Sequence, residues 1–268
     1  MINTIGISEK EFLQLKDIIY TKSGLHITKE NSTHLKNKLY DRLVEKDIQT
    51  FRDYYDYLIE NEDEIQSMIN AVTTNETYFF REQKHFDFLK KYILPNVKYE
   101  QFRCWSAAGS NGSEVYSIAM ELKSNLSTYQ NWELTMSDIN DDMVKFAKDG
   151  IYPLKYTQKI PEQYLKEYCF KGQNEDEGFF KINKTLKKNI LYKHINLMDP
   201  RDSELGMFDV VFLRNVIIYF NDEDKKRIVE NVIKHLKKDG YLFMGHSESL
   251  YRITDKVIQI QPSIYKKS

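Results

Sequence analysis

The chain has 268 residues, 41% of them hydrophobic and 13% aromatic, which is enough to build a substantial core and excludes global disorder. Its 39 basic and 40 acidic residues leave a net charge of −1, so we expect no overall electrostatic attraction to nucleic acid or to an acidic membrane. Two cysteines are too few for a disulfide framework, and the sequence shows neither a signal-peptide core nor a long apolar run, so we expect a soluble, cytoplasmic protein without direct membrane insertion.

Residues 1–72 are predicted to form a small helical domain. Ser8 is typical of a helix start, and the apolar residues that follow have helical spacing until Gly24 breaks the pattern. The alternation of Val, Ile and Thr that is typical of strands does not occur here. Three further helices are predicted, from Ser32 to Glu45, after Thr50, and after Asn61 or Asp63.

Residues 73–268 alternate predicted strands and helices, which indicates an α/β fold with a doubly wound, mostly parallel sheet. The predicted strands are Phe102–Ala108, Trp132–Asp138, Asn189–Asn196, Phe208–Asn215 and Tyr241–Gly245. The predicted helices are Glu114–Leu126, Asp141–Lys148 and Asp222–Leu236, the last closed by Asp239-Gly240. Residues from about 150 to 190 interrupt this alternation, and we expect a small antiparallel insertion that contains the strand FFKIN (179–183).

The turn after the first strand has the composition of a cofactor site. It reads Ala-Gly-Ser-Asn-Gly-Ser, and small residues before a helix N-terminus let a ligand approach the backbone N–H groups. Asp138 ends the next strand, where an acidic residue can accept both hydroxyls of a ribose. The turn is not G-x-G-x-x-G, which counts against a dinucleotide. These residues alone indicate a nucleotide-like cofactor and leave a plain α/β fold with a tight turn open.

Six motifs in one order make the family recognisable. They are TTNETYFFRE (73–82), WSAAGSNGSEVYSIAM (105–120), SDIN (137–140), INLMD (195–199), FLRNVIIYF (212–220) and GHSESL (245–250). Together they resemble the chemotaxis receptor methyltransferase family, CheR, over nearly the whole chain. The resemblance implies methyl transfer from S-adenosylmethionine, with S-adenosylhomocysteine as product, to glutamate side chains of bacterial chemoreceptors in sensory adaptation. It also implies that 1–72 faces the receptor's cytoplasmic helical domain and that 73–268 is the methyltransferase domain.

The resemblance also implies roles for individual residues. Arg81 and Tyr219 are expected to flank the transferred methyl group. The residues expected to bind the cofactor are Asn75, Thr77, Arg81, Glu114, Asp138, Asn196, Leu197, Arg214 and Asn215. This chain departs from the usual family motif at Asn111, Ser113 and Val115, and the loss of one carboxylate at Ser113 is expected to weaken contact with the cofactor's amine while Glu114 remains.

Two surfaces are candidates for receptor contact. Lys38, Arg42 and Lys46, with His34, recur every four residues on one helix face, so they can form a basic stripe for an acidic receptor helix. The alternative is an ordinary solvated face. The strand FFKIN is a candidate edge for a receptor's C-terminal pentapeptide; the alternative is a structural flap over the cofactor.

Other chemistry is not favoured. The histidines are scattered without ligand spacing, so no metal site is expected. Ser247 lacks the second glycine of a G-x-S-x-G elbow and is expected to shape the end of a strand instead. Two alternatives remain: the same chemistry on a receptor-like protein outside chemotaxis, and a non-catalytic module, which only the departures at Ser113 and Val115 support. The sequence does not tell which receptor or glutamates are modified, and nothing in it demands more than a monomer.

Overall fold

The computed structural model describes residues 5–98, 101–127, 129–199 and 205–268. Within these residues, the N-terminal part forms a bundle of helices at the predicted places. Ser8 and Glu11 make a capping box at the start of the first helix, and Gly24 ends that helix in the left-handed conformation. Thr50 caps the third helix by accepting a hydrogen bond from the Asp53 N–H. The helices are α1 Glu9–Ser23, α2 Ser32–Glu45, α3 Phe51–Glu60 and α4 Glu62–Val72.

The apolar face of α2 builds the core of this bundle. Leu35, Leu39 and Leu43 are buried in one cluster with residues of α1 and α3. Burying one such side chain stabilises the fold by about 2 kcal/mol. Lys38 and Arg42, on another side of α2, are only partly buried.

A seven-stranded sheet forms the centre of the C-terminal part. Among the described residues, the strands of this part, seven in that sheet and three in a smaller one, are β1 Phe102–Ser106, β2 Trp132–Asp138, β3 Ile151–Pro153, β4 Cys169–Lys171, β5 Phe179–Ile182, β6 Ile190–His194, β7 Phe208–Leu213, β8 Leu236–Met244, β9 Val257–Gln261 and β10 Ile264–Lys267. The helices are α5 Gln83–Phe88, α6 Ser113–Asn125, α7 Asp141–Asp149, α8 Glu162–Tyr168, α9 Lys184–Lys187 and α10 Asp222–Lys234. The sheet order is β6-β2-β1-β7-β8-β10-β9.

The position of β1 decides where a ligand can bind. β1 pairs in parallel with β2 on one side and with β7 on the other. The chain therefore leaves β1 in one direction and later returns to its other side, which makes a topological switch point. Ligands of such sheets bind there, beyond the carboxyl ends of the strands. The doubly wound, mostly parallel sheet is confirmed, and β2 has the predicted bounds.

The predicted end of the last helix is wrong. α10 ends at Lys234, and β8 begins two residues later at Leu236. Asp239, at φ +62°, and Gly240 lie inside β8, where its register with β7 shifts. An Asp-Gly pair adopts positive φ equally well in a turn and in a β-bulge, so the dipeptide alone does not distinguish the two. The strands β9 and β10, which pair antiparallel beyond β8, were not predicted.

The predicted antiparallel insertion is confirmed as a small sheet in the order β3-β5-β4. FFKIN, which the sequence offered as a candidate edge, lies in the centre of this sheet instead. Within β5, Phe180 faces Tyr152 of β3 and Lys181 faces Phe170 of β4, so strands flank both sides of its backbone. Burial explains the arrangement, because Phe180 and Tyr152 stack at 5.5 Å between ring centroids in the core of the insertion. The edges of this sheet are β3 and β4.

Candidate active site

A cleft with a volume of about 360 Å³ lies where β1, β2 and β7 end. Small-molecule sites usually occupy about 300–1,000 Å³. The sheet supplies one side of the cleft, and His26, His34 and Lys38 of the N-terminal part line the other. The ten residues that the resemblance assigns to cofactor binding or catalysis all line it: Asn75, Thr77, Arg81, Glu114, Asp138, Asn196, Leu197, Arg214, Asn215 and Tyr219.

The turn between β1 and α6 is held close to its neighbours. The Gly109 N–H donates to the Ser137 carbonyl at 2.9 Å. A Cβ atom on Gly109 would lie 2.7 Å from Met136 Cγ, and one on Gly112 would lie 2.7 Å from Ala147 Cβ. Gly112 also has φ +83°, which side chains rarely adopt. Both glycines therefore let the turn lie against β2 and α7 while its backbone borders the cleft.

The three residues that depart from the family motif are buried and do not line the cleft. The Asn111 side chain accepts a hydrogen bond from the Ser113 N–H at 3.0 Å, and its carbonyl accepts one from the Tyr152 hydroxyl at 2.6 Å. Ser113 and Val115 are fully buried. Of this stretch, Ser110 and Glu114 line the cleft, and the three departing residues do not. The geometry therefore gives no support to the expectation that the change at Ser113 removes a carboxylate facing the ligand.

Asp138 is fixed by the same turn. One of its carboxylate oxygens accepts the Ser110 N–H at 2.8 Å and the other accepts the Asn140 N–H at 2.9 Å. Burial raises the pKa of the Asp138 carboxyl, and these backbone donors oppose the rise. Asn140 also donates to the Thr73 hydroxyl at 2.7 Å. The carboxylate is thus held at the end of β2 and braced against the end of the helical bundle.

A buried arginine links three segments at the base of the cleft. The Arg214 guanidinium lies 3.0 Å from Glu114 Oε2 and 3.1 Å from Glu82 Oε2, and it donates a short hydrogen bond to the Arg81 carbonyl. Glu114 also accepts a hydrogen bond from the Ser106 hydroxyl at 2.7 Å. Burial raises the pKa of Glu114 even though the Arg214 charge opposes the rise. The site therefore holds a carboxylate whose charge is only partly compensated.

Arg81 and Tyr219 reach the cleft from distant segments. The Arg81 guanidinium donates to the Glu76 carbonyl at 3.1 Å and lies 5.9 Å from the centroid of the Tyr78 ring. Tyr219 is half-buried at the end of a short 3-10 turn that follows β7. The structure brings both side chains to the same cleft.

The N-terminal part closes the cleft through its backbone. The His26 N–H donates to the Tyr219 carbonyl at 3.0 Å, and the Asn196 side chain donates to the Lys22 carbonyl at 2.9 Å. His26 was not singled out from the sequence, because nothing in its neighbourhood distinguishes it from the other histidines. These contacts place the end of α1 directly beside Tyr219.

Glu248 is a second residue that sequence reasoning missed. It is 6% exposed and accepts hydrogen bonds from four backbone N–H groups in the loops after β7 and β8. Ser247, the residue that attracted attention in the same motif, is exposed. The sequence feature that could have identified Glu248 is its place as an acidic residue beyond the carboxyl end of a strand, within the motif GHSESL.

Two family models match the chain. One, described as the all-alpha domain of CheR methyltransferase, matches residues 10–73, and the other, its SAM binding domain, matches residues 75–265. The chemotaxis protein methyltransferase of Borreliella burgdorferi is 34% identical, over 98% of this chain and 96% of that protein. That of Salmonella typhimurium is 33% identical, over 93% and 87%, and that of Escherichia coli 31%, over 100% and 94%. The chain belongs to the CheR methyltransferase family.

As a member of the CheR family, the protein is a methyltransferase that uses S-adenosylmethionine. The residues of the cleft fit this cofactor. Asp138 lies at the end of β2, where a carboxylate can accept the ribose hydroxyls. The partly compensated Glu114 suits a cationic amine, because a nearby positive charge favours its ionised form. Among residues 5–98, 101–127, 129–199 and 205–268, the CheR fold contains no helix long and apolar enough to cross a membrane.

The basic stripe of α2 is largely paired within the bundle. Arg42 makes two hydrogen bonds to Glu64, at 2.9 and 2.7 Å, and Lys46 lies 3.3 Å from the same carboxylate. Lys38 donates to the carbonyls of Val72 and Thr73 at 2.8 and 2.7 Å. These contacts count against the stripe as a free basic surface, and of its three cations only Lys38 lines the cleft. Sequence spacing did not reveal this, because Glu64 lies on another helix.

The structure also brings together a group that the sequence separates. Single ligand atoms of Glu82, His85 and His246 lie within 4.8 Å of one another. The Arg214 guanidinium lies 3.1 Å from Glu82 Oε2, and its positive charge would repel a metal ion bound to that oxygen. Burial lowers the pKa of His85 to about 3, so this imidazole is neutral at pH 7. We therefore assign Glu82 to the ion pair with Arg214, with His85 as its neutral neighbour.

Proposed function

We propose that this CheR-family protein transfers a methyl group from S-adenosylmethionine to glutamate side chains of chemoreceptors, giving glutamate methyl esters. The observation that carries this proposal is the single cleft in which Asp138, Glu114 and Arg214 meet Arg81 and Tyr219. The likeness to chemotaxis protein methyltransferases over nearly the whole chain supports the choice of substrate.

We assign residues 1–72 to a receptor-facing domain and residues 73–268 to the methyltransferase domain. The protein would act in the cytoplasm, on the cytoplasmic helical domain of the receptor. The contact of the bundle with the cleft supports this division, because a receptor helix bound to the bundle would lie next to the reaction site. Among the three cations of the basic stripe, Lys38 keeps a proposed role in substrate binding because it lines the cleft.

Methyl transfer to a carboxylate depends on the alignment of the reacting atoms more than on acid–base catalysis. When bound, S-adenosylmethionine supplies a methyl group on a sulfonium that is already a good leaving group. A glutamate is ionised at pH 7, so no strong general base is needed. The protein must hold the carboxylate in line and exclude water. In this proposal Asp138 and Glu114 hold the cofactor's ribose and amine, Arg81 pairs with a carboxylate, and Tyr219 orients the incoming oxygen.

A methyl-transfer assay tests the proposal. The purified protein is incubated with methyl-tritiated S-adenosylmethionine and receptor cytoplasmic domains, and base-labile label on the receptor is measured. At saturating cofactor, Arg81→Ala and Tyr219→Phe should each lower kcat by about tenfold or more, because alignment of the reacting atoms is lost. Lys225→Ala is the control, since Lys225 pairs with Asp222 on α10 and does not line the cleft.

The outcomes separate the alternatives. Cofactor binding without label on any receptor domain would favour a non-catalytic module. Label that is stable to base would exclude carboxyl methylation. Base-labile label on a receptor-like protein outside chemotaxis, with none on chemoreceptors, would keep the chemistry and overturn the substrate. Full transfer by Arg81→Ala at saturating cofactor would remove Arg81 from the mechanism.

A further inference from the structure

The carboxylate of Glu248 lies directly behind the cleft. One oxygen accepts the N–H groups of Asn215 and Gly245, both at 2.7 Å. The other accepts the N–H groups of Val216 and Ile217, both at 2.9 Å. Burial raises the pKa of the Glu248 carboxyl, and the four backbone donors oppose that rise. A buried carboxylate of this kind is stabilised by backbone N–H dipoles that converge on it.

The loop that these bonds hold carries residues of the proposed active site. Arg214 and Asn215 follow β7, and the 3-10 turn Ile217–Tyr219 comes directly after them. Asn215 has φ +57°, a conformation that non-glycine residues rarely adopt and that persists only where the surroundings impose it. The Glu248 carboxylate fixes the N–H groups between Arg214 and Tyr219.

A second carboxylate holds the same loop from the other side. Glu82 Oε1 accepts the His246 N–H at 3.1 Å and lies 3.4 Å from the Asn215 side-chain nitrogen. At Gly245, a Cβ atom would lie 2.4 Å from that nitrogen and 2.8 Å from Glu248 Oε2. The loops after β7 and β8 are therefore locked together, and Glu248 is the group that bonds to both backbones.

We propose that Glu248 is a positioning residue for methyl transfer, which holds the backbone between Arg214 and Tyr219 so that both side chains face the cleft. This inference rests on the proposed function, because the role of Tyr219 belongs to that proposal. Glu248 itself does not line the cleft, so it would act through the loop and not on the substrate.

The variant Glu248→Gln makes a sharp prediction. Its amide has nearly the same shape, but the NH2 group cannot accept a hydrogen bond. In either orientation one pair of backbone donors loses its acceptor, either Asn215 with Gly245 or Val216 with Ile217. Glu248→Asp keeps the charge with a shorter reach, so it should restore part of the contact.

The test combines a readout of the free protein with kinetics. Hydrogen exchange in the absence of cofactor should be faster at one of the two donor pairs in Glu248→Gln. At saturating cofactor, kcat should fall by about tenfold to a hundredfold because the loop is displaced, while KM for the receptor changes little. Glu248→Asp should recover part of kcat. The matched control is Glu121→Gln, a buried glutamate on α6 that bonds to Asn125 away from the cleft.

Several results would overturn the inference. Faster exchange with unchanged kcat would make Glu248 a structural residue only. Unchanged exchange at all four amides would refute its hold on the loop. Equal loss of kcat in Glu121→Gln would show a general effect of removing a buried carboxylate. If the wild-type protein transfers no methyl group, the proposed function fails. Hydrogen exchange at the four amides and the affinity for S-adenosylhomocysteine then still show whether Glu248 holds the loop. If Glu248→Gln does not fold, Glu248→Asp carries the same comparison.

Discussion

The bundle and the cleft each contain an arginine paired with carboxylates, half-buried at Arg42 and buried at Arg214. In the bundle, Glu64 receives two hydrogen bonds from Arg42 and one from the Tyr54 hydroxyl at 2.9 Å, with Lys46 3.3 Å away. Burial raises the pKa of Glu64, but these partners outweigh it and hold the pKa below the ordinary value of 4.5. The charges of Arg42, Lys46 and Glu64 are therefore paired with one another.

In the cleft, one arginine is paired with two carboxylates. Arg214 divides its guanidinium between Glu114 and Glu82, and among the described residues its Nε atom has no hydrogen-bond partner. The pKa of Glu114 stays above its ordinary value because burial outweighs the Arg214 charge. The same residue types thus form an ion pair that lowers the carboxyl pKa in the bundle and one that leaves it raised in the cleft, where a charged ligand is expected. Perturbed pKa values of this kind tend to mark functional sites.

The largest effect is expected for Arg214→Met. This change leaves Glu114 and Glu82 without their cation, and removing one partner of a buried pair is strongly destabilising. Affinity for S-adenosylhomocysteine should fall by about a hundredfold, because Glu114, which lines the cleft, loses the cation that holds it; isothermal titration calorimetry measures this. Unchanged affinity would mean that Arg214, like Arg42, only supports the fold.

Arg42→Met should lower stability without lowering the affinity for the cofactor product. The free energy of unfolding should fall by about 3 kcal/mol, because Glu64 keeps only Lys46 as a cationic partner. Affinity for S-adenosylhomocysteine should stay within about twofold, since Arg42 and Glu64 do not line the cleft. Denaturant unfolding with titration of the folded protein measures both. The double variant Arg42→Met with Glu64→Met should recover part of the lost stability, and a further loss would contradict the ion-pair explanation.

The smallest effect concerns pH, and its sign differs between the two sites. The lowered pKa of Glu64 contributes stability that is present above 4.5 and lost as the pH falls through the folded-state value. The raised pKa of Glu114 contributes stability that is present below 4.5 and lost as the pH rises through its folded-state value.

Thermal melting from about pH 2 to about pH 8 tests this difference, because the folded-state pKa of Glu64 lies below 4.5. Glu64→Gln should be less stable than the parent by about 1–2 kcal/mol near neutral pH, with the difference shrinking as the pH falls. Glu114→Gln, without cofactor, should be at least as stable as the parent near neutral pH. A marked loss of stability in Glu114→Gln would show that the cleft pair is as complete as the pair in the bundle.

Much of the fold was predictable because local signals and burial agree. The helix caps at Ser8 and Thr50, the bounds of β2 and the mostly parallel sheet all follow from patterns within one element. The strands β9 and β10 were missed although residues 258–261 (IQIQ) alternate apolar and polar side chains. The place of FFKIN was missed for another reason, because strand order within a sheet depends on pairing that a single strand does not encode.

The candidate site divides in the same way. The sequence determined the family through six ordered motifs, and the resemblance to that family implied the cofactor and the ten residues that line one cleft. Only the tertiary structure decided what the remaining charged residues do. It paired Arg42 and Lys46 with Glu64, and it placed Glu248 beneath the loop of Tyr219. Pairing of charges and backbone donors depends on distances between segments far apart in the chain, and these distances exist only once the chain has folded.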